Sequence, residues 1–138
     1  MKMRGGPDGL HLFERKNGLN ILIDELNVPQ ALWAPAPRHV SIALTNICDL
    51  ECSHCYAPKY PAQLEFSELT SWIEELDKNG CIGVGLGGGE PTLYKDFSKL
   101  CKHIAEKTEL AVTFTTNGYH IDSVLAKELK DSVHFIRI

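Results

Sequence analysis

The sequence predicts an α/β fold, a partial TIM-like βα barrel with parallel strands that is preceded by an N-terminal β-hairpin. Short apolar runs at residues 40–44, 81–86 and 110–114 are typical of buried strands. Each run is followed by a loop and then by an amphipathic helical pattern, and residues 133–138 supply a fourth strand pattern. This repeated order of strand, loop and helix implies parallel strands joined by right-handed crossovers.

Residues 1–37 are predicted to form a β-hairpin with a proline-rich connector, and residues 38–138 the barrel portion. Strand patterns at residues 10–14 and 19–24 flank Asn17-Gly18, a dipeptide that favours a tight hairpin turn. From its position outside the barrel portion, we hypothesise that the hairpin covers a sheet edge or binds a peptide substrate.

Three helices are predicted within the barrel portion. In the first, apolar residues recur at i, i+3, i+4 and i+7 from Leu69, with Ser67 as the N-cap and Gly80 just past the end. The second helix is capped by Asp96, and the third spans about residues 122–130. The loops between each strand and its helix therefore gather at the carboxyl edge of the sheet, where parallel α/β folds bind their ligands.

The composition is that of a globular chain that is not suited to binding polyanions. Of its 138 residues, 43% are hydrophobic and 23% are charged, and the formal charge is −4, which disfavours nucleic acid as the main partner. No apolar run approaches the roughly 20 residues of a membrane span, and the N-terminus lacks the pattern of a secretory signal. We therefore expect a cytoplasmic protein with no membrane or nucleic-acid partner.

Three of the five cysteines, Cys48, Cys52 and Cys55, form a C-x3-C-x2-C pattern directly after the first predicted strand. An odd cysteine count without a secretory signal argues against a disulfide framework. Three thiolates on one short loop suit an iron–sulfur cluster or zinc. With no fourth cysteine nearby, one iron of a cluster stays open to an outside ligand, and we favour the cluster.

A structural zinc site is the alternative, with His54, Cys81 or Cys101 as its fourth ligand. The sequence lacks the paired C-x2-C or H-x3-H spacing that zinc sites usually show. Cys81 and Cys101 fall at core-facing positions of a predicted strand and a predicted helix, so we predict that both are small buried hydrophobic residues.

Two further motifs follow the next two strands. Gly88-Gly89-Glu90 comes after the second strand and Thr115-Thr116-Asn117-Gly118 after the third. Glycines allow a close approach of the backbone, and a carboxylate at a strand end can bind an ammonium group by charge-assisted hydrogen bonds. A dinucleotide fingerprint, G-x-G-x-x-G from Gly83, is rejected because its glycines lie inside the predicted strand.

With these motifs in this order, the region from Val40 to the last residue resembles the radical S-adenosylmethionine (radical SAM) superfamily. The cysteine pattern resembles its first signature, and Gly88-Gly89-Glu90 its second motif. The Thr-Thr-Asn-Gly segment is similar to that of members of the molybdenum-cofactor-biosynthesis and peptide-maturase types.

The resemblance implies two cofactors and one reaction. A [4Fe–4S] cluster would be bound by Cys48, Cys52 and Cys55, and its fourth iron would be chelated by the amino and carboxylate groups of S-adenosylmethionine (SAM). One electron from a flavodoxin- or ferredoxin-type donor would cleave SAM to methionine and a 5′-deoxyadenosyl radical. That radical would abstract a hydrogen atom from a substrate, a peptide or a small molecule.

The resemblance also implies which residues contact SAM. His54 occupies the position where the family commonly has an aromatic residue near the adenine. The other implied cofactor-binding residues come from the second and third motifs: Gly88, Gly89, Glu90, Thr115, Thr116 and Asn117. Two residues are left open: Tyr56 either shields the cluster or packs under the loop, and Arg137 points either to the SAM carboxylate or to solvent.

The chain departs from the family in its extent. It supplies three βα units and a fourth strand, fewer than the barrels of this superfamily have. We therefore expect a truncated chain, or one that completes its open sheet edges by self-association, and we do not expect independent catalysis by the isolated chain. The alternative to an enzyme is a non-catalytic module in which zinc or an iron–sulfur cluster is purely structural.

Overall fold

The computed structural model describes residues 1–58 and 60–138, which form an antiparallel and a parallel β-sheet. The antiparallel sheet contains β1 (Lys2–Gly6), β2 (Gly9–Glu14) and β3 (Leu19–Ile23). The parallel sheet contains β4 (His39–Thr45), β5 (Gly83–Gly88), β6 (Ala111–Thr115) and β7 (Phe135–Arg137) in that spatial order. Its helices are α1 (Phe66–Lys78), α2 (Phe97–Lys107) and α3 (Ser123–Leu129).

The predicted partial βα barrel is confirmed, with one addition at the N-terminus. The predicted hairpin is β2 and β3, but β1 pairs antiparallel with β2 and makes a three-stranded sheet. Residues 2–6 carry two cations and two glycines, so no local pattern predicts a strand there. Pairing with β2 supplies the hydrogen bonds that the local sequence does not favour. The division at residues 37 and 38 stays a prediction.

Two cations of β1 attach the antiparallel sheet to the end of α1. Lys2 Nζ donates to the Cys81 carbonyl over 2.6 Å and pairs with Asp77. Arg4 Nη1 donates to the Gly80 carbonyl over 3.0 Å. Cations are favoured at helix carboxyl ends because carbonyls there are left without intrahelical partners. The sheet therefore lies at the amino-terminal ends of the parallel strands.

Arg15 makes the corresponding attachment at the end of α2. Its guanidinium donates to the carbonyls of Ala105 and Thr108 over 2.9 Å each and to that of Leu110 over 3.2 Å. Both attachments lie on the side of the parallel sheet opposite the motif loops. The part of the hairpin hypothesis that concerns peptide binding stays a prediction, but this sheet does not line the edge where the motifs lie.

The helices of the barrel portion begin close to where the sequence predicts. Asp122 caps α3 by accepting from the amides of Val124 and Leu125. Asp96 occupies the N-cap position of α2 without a side-chain cap bond. The prediction for α1 is wrong by two residues, because Glu65 and not Ser67 precedes its first turn. No helix in the described part of the chain has the length and apolarity needed to cross a membrane.

The helices cover one face of the parallel sheet and leave the other face open. β5 shows the alternation most clearly, because Val84 and Leu86 are buried towards the helices while Gly83, Gly85 and Gly87 alternate with them. The open face bounds a groove of about 820 Å³, whose wall includes His39 and Thr113. The helix-side core contains Leu44, Val84, Leu86, Val112, Phe114, Leu69, Ile73, Leu100, Ile104 and Leu129. β4 and β7 are the outer strands of the parallel sheet, and residues 62–64 hydrogen-bond to the carboxyl end of β4. Self-association through the edges of the sheet stays a prediction.

Candidate functional site

The loops that follow β4, β5 and β6 meet at the carboxyl edge of the parallel sheet. The Gly89 amide donates to the Thr45 carbonyl over 2.6 Å, and the Glu90 amide donates to the Ile47 carbonyl over 2.8 Å. These two bonds join the second motif to the residues that lead directly into Cys48. The predicted convergence of the motifs is therefore present in the structure.

Gly88 and Gly89 are required by the close approach of these two segments. Gly88 has a φ of +125°, and a Cβ atom there would lie 2.2 Å from the Thr45 carbonyl oxygen. A Cβ atom at Gly89 would lie 2.3 Å from the Ile47 carbonyl oxygen. The glycines thus let the chain approach itself, whereas their predicted contact with SAM stays a prediction.

Glu90 is buried, with 1% of its surface exposed, and it joins the second motif to the third. Its Oε1 accepts from the amide and the hydroxyl of Thr92 and, over 2.8 Å, from the Thr116 hydroxyl. Its Oε2 accepts from the Asn117 amide over 2.8 Å. A carboxylate offers about four lone-pair positions, and three of the four donors use Oε1. Oε2 takes only one of the four donors and is therefore the less occupied oxygen among the contacts of the described residues.

The Thr-Thr-Asn segment is divided between the two sides of the sheet. Thr116 is buried and bonds to Glu90, whereas Thr115 is exposed on the wall of the open groove. Asn117 bonds to Glu90 through its backbone and to Asp49 through its side chain, with Nδ2 2.8 Å from Asp49 Oδ1. The segment thus contacts both the second motif and the cysteine loop.

Asp49 and His120 form a pair that the sequence analysis did not predict. His120 Nε2 lies 2.9 Å from Asp49 Oδ2. Desolvation raises the pKa of the Asp49 carboxyl, but the hydrogen bonds from His120 and Asn117 outweigh it and hold the pKa below its usual value. Because 71 positions separate the two residues, no local spacing signals the pair.

The thiols of Cys48, Cys52 and Cys55 are exposed on the loop after β4. The Leu50 amide donates to Cys48 Sγ over 3.5 Å, and the Cys55 amide donates to the Cys52 carbonyl over 3.1 Å. Exposed thiols on one short loop, one of them accepting an amide hydrogen bond, are a donor set that fits an iron–sulfur cluster.

A single metal ion and a cluster place different demands on the three thiols. Within residues 1–58 and 60–138, no group of three or more His, Cys, Asp and Glu side chains is placed to hold one ion. Zinc requires all its ligands within about 2.0–2.3 Å of one centre, whereas the thiolates of a [4Fe–4S] cluster bind different iron atoms.

Cys81 and Cys101 are fully buried, as predicted, and are not placed as fourth ligands. Cys81 Sγ donates to the Gly83 carbonyl over 3.3 Å, at the amino end of β5 and far from the cysteine loop. Cys101 lies in α2, where burial raises the pKa of its thiol to about 12. A buried thiol with a raised pKa loses its proton less readily, which disfavours it as a metal ligand.

Three residues whose roles the sequence left open or assigned only by resemblance lie at the surface. Tyr56 is 100% exposed, so it does not pack under the loop. Arg137 lies on the wall of the open groove. His54 is exposed within the cysteine loop, and its predicted position near the adenine of SAM stays a prediction.

We expect Glu90→Gln to lower the free energy of unfolding by about 1–3 kcal/mol, because an NH2 group cannot accept from the donors that the carboxylate satisfies. Chemical denaturation of the chain without cofactors measures this change. Glu106→Gln is the matched control, since Glu106 is an exposed carboxylate on α2, and it should change stability by less than about 0.5 kcal/mol. Equal stabilities for the two variants would contradict a linking role for Glu90.

Residues 42–138 match the family described as the radical SAM superfamily. The chain belongs to this superfamily. Radical SAM proteins bind a [4Fe–4S] cluster and SAM, so the cofactors expected from the motifs are those of the family.

Three curated relatives show which members the chain is similar to. Fe-coproporphyrin III synthase of Methanosarcina barkeri is 37% identical over 92 residues, which cover 64% of this chain and 23% of that protein. Mycofactocin maturase MftC of Mycobacterium ulcerans is 34% identical over 100 residues, 70% of this chain and 27% of that protein. GTP 3′,8-cyclase of Psychromonas ingrahamii is 32% identical over 108 residues, 72% of this chain and 32% of that protein.

The maturase and the cyclase are of the two types that the motifs indicate. The chain spans between 23% and 32% of the length of these three relatives. Among solved structures, SuiB of Streptococcus suis bound to its precursor peptide SuiA aligns with a TM-score of 0.65 and 26% identity, over 75% of this chain and 24% of that chain. SuiB bound to SAM aligns with a TM-score of 0.61 and 26% identity, over 72% of this chain and 22% of that chain.

Proposed function

We propose that this chain is the cluster-binding and SAM-binding part of a radical SAM enzyme that acts on a peptide. In this proposal residues 38–138 hold a [4Fe–4S] cluster through Cys48, Cys52 and Cys55, and residues 1–37 cover the opposite end of the sheet. When bound and reduced by a flavodoxin- or ferredoxin-type donor, these cofactors supply a 5′-deoxyadenosyl radical that abstracts a hydrogen atom from the substrate.

The observation that carries the proposal is the hydrogen-bonded unit formed by the three motif loops. The amides of Gly89 and Glu90 fix the second motif to the start of the cysteine loop, while the Glu90 carboxylate fixes it to the third motif. Donors and acceptors at this edge are thus held in place before a ligand arrives, which lowers the entropic cost of binding. In this proposal Glu90 Oε2, the less occupied oxygen, accepts from the SAM ammonium group.

A peptide is the proposed substrate class because SuiB, to which this chain is similar, was solved bound to a precursor peptide. A second relative is named a maturase, which agrees with a substrate of this class. In this chain the groove of about 820 Å³ on the open face adjoins Gly88 and Gly89. A substrate in this groove lies beside the proposed SAM site, and Thr115 and Arg137 on its wall offer polar contacts.

Electron paramagnetic resonance of the chain tests the proposal. The chain is reconstituted with iron and sulfide under anaerobic conditions, reduced with dithionite, and measured with and without SAM. We expect the signal of a reduced [4Fe–4S] cluster, and a change in its g values when SAM is added because SAM occupies the open iron. A signal that does not respond to SAM would contradict SAM binding by this chain, and zinc at one ion per chain without iron would contradict the cluster.

A further inference from the structure

We infer that Asp49 is a positioning residue that holds the cysteine loop against the loop after β6. Its two carboxylate oxygens have different partners. Oδ1 accepts from Asn117 Nδ2 over 2.8 Å, and Oδ2 lies 2.9 Å from His120 Nε2. Both partners come from the loop that joins β6 to α3, so one side chain next to Cys48 makes a two-point connection across the carboxyl edge of the sheet.

The connection continues from Asn117 to the buried carboxylate of Glu90. The Asn117 backbone amide donates to Glu90 Oε2 over 2.8 Å, while its side chain donates to Asp49. Asn117 is therefore held by Glu90 on its buried side and by Asp49 on the side of the cysteine loop. The resulting chain of Glu90, Asn117 and Asp49 joins all three motifs through hydrogen bonds that each involve a side chain, in addition to the backbone bonds near Thr45 and Ile47.

The connection matters because it holds the cysteine loop next to its first thiol. The bonds at Thr45 and Ile47 hold the loop where it begins, and hydrogen bonds between residues 62–64 and residues 44–46 hold it where it ends. Ordering the residues of a loop costs conformational entropy, so a loop ordered before the ligand arrives binds more readily. Asp49 is one position from the first thiol, and Cys48 Sγ lies 4.0 Å from its Oδ1.

The pair of Asp49 and His120 is partly exposed, with 33% and 40% of their side chains accessible. Exposed ion pairs alone contribute little to the stability of a protein. We therefore expect this pair to affect the order of the cysteine loop and not the stability of the whole fold. The consequence of this connection for the cluster rests on the proposed function, whereas the connection itself does not.

Hydrogen exchange of the chain without cofactors tests the connection. We expect Asp49→Ala to raise amide exchange in residues 46–57 roughly tenfold, as for the loss of one to two net hydrogen bonds, with exchange in α1 and α2 unchanged. Asp49→Asn keeps one acceptor oxygen and should restore part of the protection. Glu51→Ala, which removes an exposed carboxylate of the same loop, is the matched control and should leave exchange unchanged.

A double-mutant cycle with His120→Ala isolates the contact. If Asp49 acts through His120, the double variant exchanges no faster than the faster of the two single variants. If the increase in exchange rate in the double variant equals the product of the two single increases, Asp49 and His120 act separately and the contact between them does not hold the loop. Unchanged exchange in both Asp49→Ala and Asp49→Asn would overturn the inference.

A second measurement relates the connection to the cluster. We expect reconstituted Asp49→Ala to show a broadened or shifted signal of the reduced cluster, and Asp49→Asn a signal closer to that of the unsubstituted chain. The wild-type signal in Asp49→Ala would overturn the positioning role. If neither the variants nor the unsubstituted chain binds iron while the hydrogen-exchange result holds, the proposed function fails and the connection through Asp49 stands.

Discussion

Replacing Cys48, Cys52 or Cys55 with serine, one at a time, is expected to reduce bound iron to background. The three thiols are exposed on one loop, and a serine hydroxyl is too weak an acid to replace a thiolate as an iron ligand. Because the side chains are exposed, the substitutions remove little packing and should leave the fold intact. Iron and sulfide analysis after anaerobic reconstitution measures the loss.

Cys101, a buried cysteine outside the loop, provides the control. Cys101→Ala removes a thiol from the core beside Leu100 and Ile104, so it should lower the free energy of unfolding by roughly 1 kcal/mol or more through the cavity it leaves. It should nevertheless keep its iron. Retention of iron by any of the three loop variants, or loss of iron by Cys101→Ala while it stays folded, would mean that the ligand set has been assigned wrongly.

Gly88→Ala is the substitution expected to damage the site most through the backbone. A methyl group at this position would lie 2.2 Å from the Thr45 carbonyl oxygen, and the φ of +125° is unfavourable for any residue with a Cβ atom. Backbone strain of this kind costs ~1–3 kcal/mol, and overpacking against backbone adds ~1–3 kcal/mol. We expect the free energy of unfolding, measured by chemical denaturation, to fall by an amount within the sum of these two ranges. We also expect a lower iron content, because the segment leading into Cys48 must move.

Gly87→Ala is a control from the neighbouring position. A Cβ atom at Gly87 meets no atom within 4 Å among the described residues, and the residue lies on the open face of β5. The substitution should therefore leave stability nearly unchanged. If Gly87→Ala and Gly88→Ala destabilise the chain equally, the loss comes from β5 in general and not from the approach to Thr45.

The sequence determined the parts of this protein that depend on local patterns. Apolar runs of strand length and helical periodicity predict β4 to β7 and α1 to α3 because each pattern lies within one element. The cysteine spacing needs only eight consecutive residues, from Cys48 to Cys55. The meeting of the motif loops could also be predicted, since parallel strands joined by right-handed crossovers place their carboxyl ends at one edge.

The tertiary structure alone decided the contacts between residues distant in sequence. β1 forms because β2 offers it a pairing edge, and Arg15 reaches carbonyls 90 to 95 positions away at the end of α2. The Glu90 carboxylate accepts hydrogen bonds from Thr116 and Asn117. The Asp49 carboxylate bonds to Asn117 and His120. Both sets of bonds form because the fold brings three loops within hydrogen-bond distance. A side chain's partner is set by distance in space, and a linear pattern carries no measure of that distance once the chain has turned back across the sheet.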